Sequence, residues 1–310
     1  MSELLRIEQI CKRYGSHTAL ENVSFTVPRG SIYGLLGPNG AGKTSLIRII
    51  NRITMPDAGS VRMDGRPMCA EDIARIGYLP EERGLYKKMK VGEQAIYFAR
   101  LKGLSRRDAT DRLREWFDRL DIAAWWNKRV EELSKGMAQK VQFIVTVLHE
   151  PELLIFDEPF SGFDPINANL LKKEMLRLRD HGATIIFSTH NMASVEEVCD
   201  HITLISNARN ILSGSLSEVR RNEGCNMYRV EVEEEPVGLF ESLDRMCRVI
   251  ERKCDGERHN YRVEIPQPND VTEIIGTLNA HCRIRAFEEI VPTMNDIFLR
   301  AVKRQQTKQA

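Results

Sequence analysis

Paired, closely spaced cysteines are missing. The seven thiols, Cys11, Cys69, Cys199, Cys225, Cys247, Cys254 and Cys282, are odd in number and include no C-x-x-C. A disulfide framework and a zinc ribbon both need neighbouring thiols, so free thiols in a reducing compartment are expected. No apolar run reaches the roughly 18 residues that a membrane-spanning helix requires. The opening stretch, MSELLRIEQICKRYG, mixes charges with apolar residues, so no secretory signal is expected. Charge of one sign is also not in excess: 45 Lys plus Arg face 44 Asp plus Glu, a net charge of +1. Such a balance gives no gross field for nucleic acid or an anionic membrane. No internal repeat is found. What remains is ordinary for a globular chain, with 310 residues, 42% hydrophobic and 29% charged. That length implies about two domains.

Residues 1–35 read as strands, with a turn at Pro28-Arg29-Gly30. TSLIRIINRI after Gly42 has helical spacing. A turn at 56–59 leads into SVRMDGRPM, a short strand and turn. Residues 91–120 read as helix broken at Gly103-Leu104-Ser105, where Ser105 can cap the second half. LLIFDEP and ATIIFSTH flank the charged helix LLKKEMLRLRDHG, a βαβ unit that implies buried parallel strands. Residues 213–226, SGSLSEVRRNEGCN, read as a linker after one short helix. Beyond it come strand YRVEVEEE, helix VGLFESLDRM and two strands about an Asp255-Gly256 hairpin. Helix NDVTEIIGTLNAHC, strand RIRAFEEI and helix TMNDIFLRAVKRQ follow. This is the β-α-β-β-α-β ferredoxin-like order.

Three places carry chemistry. Gly37-Pro38-Asn39-Gly40-Ala41-Gly42-Lys43-Thr44 fits G-x-x-x-x-G-K-T between an apolar strand and a helix. Its glycines let backbone N–H groups converge on a polyphosphate, Lys43 reaches the β/γ-phosphates and Thr44 is placed for Mg²⁺. The plainer reading is a chance glycine-rich turn. Asp157 and Glu158 end an apolar strand. There Asp157 can hold Mg²⁺ and Glu158 can take a proton from an attacking water; seen alone, they could be two surface acids. His190 follows a second apolar strand, at the end where open α/β sheets place ligands. Taken alone it reads better as a packed or solvent-facing histidine than as a γ-phosphate contact.

In order, the phosphate loop, Leu133-Ser134-Lys135-Gly136-Met137, LIFDEP, Ser161-Gly-Phe-Asp164 and Ser-Thr-His190 resemble the ATP-binding subunits of ABC transporters. The resemblance covers residues 1–220, and the stretch at 133–137 separates this family from other P-loop proteins. Residues 225–310 resemble the small C-terminal extension of some exporter ATPases, including relatives of a sodium-efflux subunit. The implied fold is an α/β P-loop ABC-ATPase domain with a helical and an antiparallel β subdomain, then a small α+β, ferredoxin-like accessory domain.

The resemblance implies that Gly37–Thr44 and Ser45 hold ATP, with Mg²⁺ at Thr44, Asp157 and Glu81. It further implies Glu158 as catalytic base, His190 as a switch at the γ-phosphate and Tyr14 stacked on adenine. Ser134 and Gly136 would cap the γ-phosphate of ATP held by a second protomer, and Asp164 would cross the dimer interface. The partners it implies are a second ATPase subunit, identical or related, in a head-to-tail ATP sandwich and a separate integral membrane permease, with no nucleic acid. The subunit would be cytoplasmic, peripheral on the inner membrane face, and would power export rather than import. A soluble ABC ATPase acting on ribosomes or DNA is the alternative, usually marked by two ATPase units or long coiled coils. A binding module without turnover is a third reading, against which the intact Glu158 argues.

Two departures stand out. Lys135 and Met137 replace the usual Gly and Gln, and Glu81 stands where most relatives carry Gln. Lys135 is expected either near a phosphate or in solvent. A carboxylate at 81 can still ligate Mg²⁺ but donates no hydrogen bond. In the loop Arg83-Gly-Leu85-Tyr86-Lys87-Lys88-Met89-Lys90, Leu85, Tyr86 and Met89 can form an apolar socket for the permease, rimmed by Lys87, Lys88 and Lys90. The plainer reading is a solvated loop that seals the helical subdomain. The C-terminal domain is expected to regulate or support a dimer, since His259 and His281 have no nucleophile or metal spacing around them.

Overall fold

The computed structural model describes residues 2–82, 84–223, 226–233, 246–255, 258–267 and 270–309. They form two compact units, Met1–Leu216 with Ala301–Ala310, and Ser217–Arg300. In the first unit the chain runs β1 (Glu3–Tyr14), β2 (His17–Pro28), β3 (Ile32–Leu36), α1 (Lys43–Ile50), β4 (Ala58–Met63), β5 (Arg66–Pro67) and β6 (Ile76–Leu79). Helices α2 (Val91–Leu101), α3 (Arg106–Arg119) and α4 (Lys135–Val147) follow. Then come β7 (Leu153–Asp157), α5 (Pro165–Asp180), β8 (Thr184–Thr189), α6 (Met192–Val198), β9 (His201–Ser206) and β10 (Arg209–Ser215).

Two sheets organise this unit. One is antiparallel, in the order β2-β1-β4-β5; the other has the order β10-β9-β3-β8-β7-β6. In the second, β3 lies parallel to β8 and β9, β7 lies parallel to β6 and β8, and β10 joins as an antiparallel edge. Strands IYGLL, LLIFD and TIIFST are buried at every residue, as parallel strands covered on both faces must be. Leu5, Ile7, Leu20 and Val23 of the antiparallel sheet share one core with Leu46 and Ile50 of α1 and Ile155 of β7. Each such side chain contributes about 1.5–3 kcal/mol by leaving water. Both ends of the loop between β3 and α1 are therefore anchored in the core.

Helix α3 starts at Ser105, whose Oγ accepts from Asp108 N at 3.1 Å. Within the stretch read as a linker, 213–215 end β10 and α7 (Leu216–Asn222) follows; it buries Val219 and places Arg220 and Arg221 in its last turn, where cations suit the helix dipole. Composition alone concealed it, because Ser, Gly and Asn surround one buried contact.

The second unit carries β11 (Met227–Glu233), β12 (Arg248–Asp255), β13 (Arg258–Glu264), α8 (Asp270–His281) and β14 (Arg283–Glu289). Its sheet is antiparallel in the order β12-β13-β11-β14, the ferredoxin-like arrangement. Val230, Val232, Tyr261 and Val263 meet Ile274 and Leu278 of α8 in a core of its own. The helix read over 237–246 falls, up to residue 245, outside the described residues, as do Gly256, Cys225 and Arg83. The last helix, α9 (Met294–Gln309), divides between the units at Arg300, whereas the sequence places all of 225–310 in the second. Among the described residues no helix is long and apolar enough to cross a membrane.

Candidate nucleotide site

The loop from Gly37 to Gly42 leaves the end of β3 and turns sharply into α1. Two glycines are required by contact. A Cβ on Gly37 would lie 2.2 Å from Ile205 O, and one on Gly42 would lie 2.2 Å from Ala19 O. Gly42 also has φ 108°, so α1 begins from a left-handed residue with no side-chain cap. Its first N–H groups are left for a ligand.

Lys43 is folded back over this loop. Its Nζ donates to Gly37 O at 2.7 Å and to Pro38 O at 3.1 Å. Burial pulls the ammonium below its usual range, opposed by the charges of Glu158, Asp157 and Glu81. Three carboxylates thus act on one buried cation beside a helix N-terminus.

Strand β7 delivers the acids. Asp157 is 2% exposed; its Oδ2 accepts from Thr44 Oγ1 at 3.1 Å and its Oδ1 from Ser188 Oγ. The next residue cannot continue the strand: Glu158 has φ 48°, and its N–H donates to Ser188 O at 3.1 Å. This left-handed step, costing on the order of 1–3 kcal/mol for a non-glycine residue, turns the side chain to the strand end. There Glu158 Oε1 accepts from His190 Nδ1 at 2.8 Å, and Oε2 accepts from Thr189 Oγ1 at 3.3 Å. A carboxylate only accepts, so Nδ1 carries the proton. His190 is exposed, held by Glu158 rather than packed.

Tyr14, His17, Ala19, Asn39, Gly40, Gly42–Ser45, Glu81, Asp157 and Glu158 line one cleft of about 440 Å³. Tyr14 is 45% exposed at its rim, with Lys12 Nζ 5.5 Å from the ring centroid, so it is no core tyrosine. Glu81, exposed, also lines a second, narrow cavity with Gln139, Gln142 and Phe163. It therefore stands where this cleft meets the cavity walled by α4.

Ser134, Gly136 and Asp164 do not line the cleft. Ser134 caps α4, its Oγ accepting from Met137 N at 3.3 Å, and Asp164 caps α5, accepting from Ile166 N and Asn167 N at 3.0 Å. Gly136 faces Phe163, and Gln139 Nε2 donates to Ser161 O. Lys135 is exposed, as the solvent reading expects, and its side chain lies over Gly162. Ser188 and Thr189, which hold both acids, were not singled out from the sequence. Their signal is position, at the end of β8 beside the end of β7.

Comparison with known proteins agrees with this geometry. Residues 20–161 match the ABC transporter family model, and residues 214–302 match the C-terminal domain of DrrA1-3-like ATP-binding proteins. The ABC transporter ATP-binding protein YhaQ of Bacillus subtilis is 40% identical over 96% of this chain and 98% of its own. The Nod factor export ATP-binding protein I of Ralstonia nicotianae is 30% identical over 97% and 94%. A solved ATP-binding subunit of an ABC transporter superposes with a TM-score of 0.66 at 32% identity, covering 71% of this chain and 92% of that one. The chain belongs to the ABC transporter ATP-binding proteins, the ATP-hydrolysing subunits that work with membrane permease partners.

Proposed function

We propose that the chain closes head-to-tail with a second copy or a related subunit over Mg-ATP, and that this closure powers export through a separate permease. The observation that carries the reading is the Glu158–His190 pair, 2.8 Å apart, beside Lys43 and the Thr44–Asp157 pair. Glu158 is the base for the attacking water and His190 orients it and reaches toward the γ-phosphate. Thr44 Oγ1 and Asp157 Oδ2, 3.1 Å apart, are hard oxygen donors of the kind Mg²⁺ takes together with substrate phosphates. They fit the ion, with Glu81 beside them, and a bound Mg²⁺ would neutralise charge on the phosphates.

Ser134 and Gly136 complete the site of the other protomer, which is consistent with their lying away from their own cleft. Export is favoured by the export named in the Ralstonia relative and by the match of the C-terminal unit. The second unit is read as regulatory or dimer-supporting. The subunit would then lie on the inner face of the membrane through its permease. Purification from membranes tests this: one integral membrane protein should copurify, and ATP should drive cargo outward in vesicles holding both. Copurification with ribosomes or DNA instead would overturn it.

Glu81 gives a sharper expectation. If its carboxylate faces Mg²⁺ in the closed state, Glu81→Gln keeps substantial turnover, while Glu81→Ala loses about 10–100-fold, the range for groups that support a metal. Equal steady-state turnover in all three proteins would make position 81 neutral.

The loop after Glu81 is read as permease contact. Tyr86 is 54% exposed and stacks on Phe98, while Gln94, fully buried, pins it by accepting from Tyr86 N at 2.7 Å. Leu85 and Met89 are half-buried, and Lys87, Lys88 and Lys90 are exposed. Tyr86→Ala with Met89→Ala should weaken permease assembly about tenfold or more, each tenfold being about 1.4 kcal/mol. ATP binding by the isolated chain should not change. Unaltered pull-down and transport would remove the docking role.

A further inference from the structure

Beside that loop, Tyr78, Leu85, Phe98, Leu101 and Val145 wall a cavity of about 270 Å³. Its mouth is apolar: Leu101 is 65% exposed, with Tyr97 at 44% one turn earlier on α2. Its floor holds Lys102. The Lys102 Nζ donates to Ile73 O at 2.8 Å and Ile76 O at 2.9 Å. An ammonium has three donors, and the third finds no acceptor among the described residues. No carboxylate lies within ion-pair distance of it among them either. His149, also in the lining, adds no charge: burial and the Lys102 cation push it down to about 4. Its Nε2 donates to Ile76 O at 3.3 Å.

A half-buried ammonium without a counter-ion is costly, and burial alone lowers its affinity for the proton. Apolar walls around an uncompensated cation define the complement: an apolar segment carrying one acid. We infer that the permease inserts a Glu or Asp into this cavity, its carboxylate seated on Lys102 and its neighbouring apolar side chains on Leu85, Phe98 and Leu101. The inference rests on the transporter reading above and specifies the chemistry of the partner segment. Charge complementarity selects this occupant over a basic or purely apolar one. The carboxylate takes the free N–H and lies in a low-dielectric setting, where the pair is specific as well as attractive.

The test uses the full chain in membranes that contain the membrane protein copurifying with it. A zero-length carbodiimide joins an amine to a carboxylate already in contact, with loss of water overall. Mass spectrometry should find an amide between Lys102 and an Asp or Glu of that membrane protein. Lys102→Gln and Lys102→Glu should lower copurification on the order of 30-fold or more, the effect of stripping one partner from a desolvated charge pair. Lys102→Arg should retain most of it. Exchange of the identified acid for Lys should restore assembly to the Lys102→Glu chain. ATP turnover of the isolated chain should be the same in all variants, which shows that they are folded. Wild-type copurification of Lys102→Glu, or amide formation only to residues of this chain, would overturn the inference while leaving the transporter reading in place. Absence of any membrane protein from the wild-type preparation would instead overturn the transporter reading, and this inference with it.

Discussion

Glu158→Gln should lower the turnover of the purified chain by about 10²–10⁴-fold, the contribution of a general base, while ATP still binds. The amide keeps the length and shape of the side chain but cannot take the proton. Its oxygen can still accept from His190 Nδ1, now 2.8 Å from Glu158 Oε1, so the histidine need not move. Asp157 keeps its own partners, Thr44 and Ser188, and the floor of the cleft stays intact. Binding and hydrolysis should therefore separate. On the dimer reading, ATP should hold the variant as a dimer that wild-type protein forms only transiently, seen as an ATP-dependent shift in size-exclusion chromatography. Wild-type turnover would remove Glu158 from the mechanism.

Lys43→Ala should fail one step earlier. The buried Lys43 ammonium donates to Gly37 O and Pro38 O and is held below its usual proton affinity. A polyphosphate would give this cation a direct charged acceptor in place of two carbonyl oxygens. Hydrogen bonds to charged groups contribute about 1.5–3 kcal/mol, so nucleotide affinity should fall by roughly 10–150-fold and turnover with it. The variant also leaves Gly37 O and Pro38 O without their donor, which should loosen the loop. Equilibrium binding of a fluorescent ATP analogue measures the loss. Unchanged affinity and turnover would show that residues 37–44 do not cradle phosphate.

The difference between these variants reflects what could be seen before folding. The phosphate loop is legible because its residues are contiguous and their spacing is the chemistry. Strands β7 and β8 are legible because buried parallel strands are short apolar runs. Ser105 is legible as a cap because capping is local. By contrast β6, with only Ile76–Leu79, is too short for a periodic signal, and β9 and β10 follow a helix without a strong turn motif. The cap at Ser134 is local, but the role proposed for it at the other protomer's cleft is not, since nothing along the chain ties it to Gly40. Lys135 was undecidable for the same reason: Gly162, which it covers, lies in another loop. Ser188 looks like one more polar residue in ATIIFSTH until the pairing of β7 with β8 sets it opposite Asp157.

The left-handed backbone at Glu158 has a consequence for how failure of this protein would look from outside. Asparagine and glycine tolerate φ 48° better than glutamate does. Glu158→Asn and Glu158→Gly should thus abolish turnover with a melting temperature equal to wild type or slightly above it. A drop of more than a few degrees in a thermal melt would contradict this. Cellular quality control senses unfolding, not inactivity, and would let such subunits accumulate. They would still occupy permeases, so one dead allele expressed beside a live one should poison transport rather than merely dilute it.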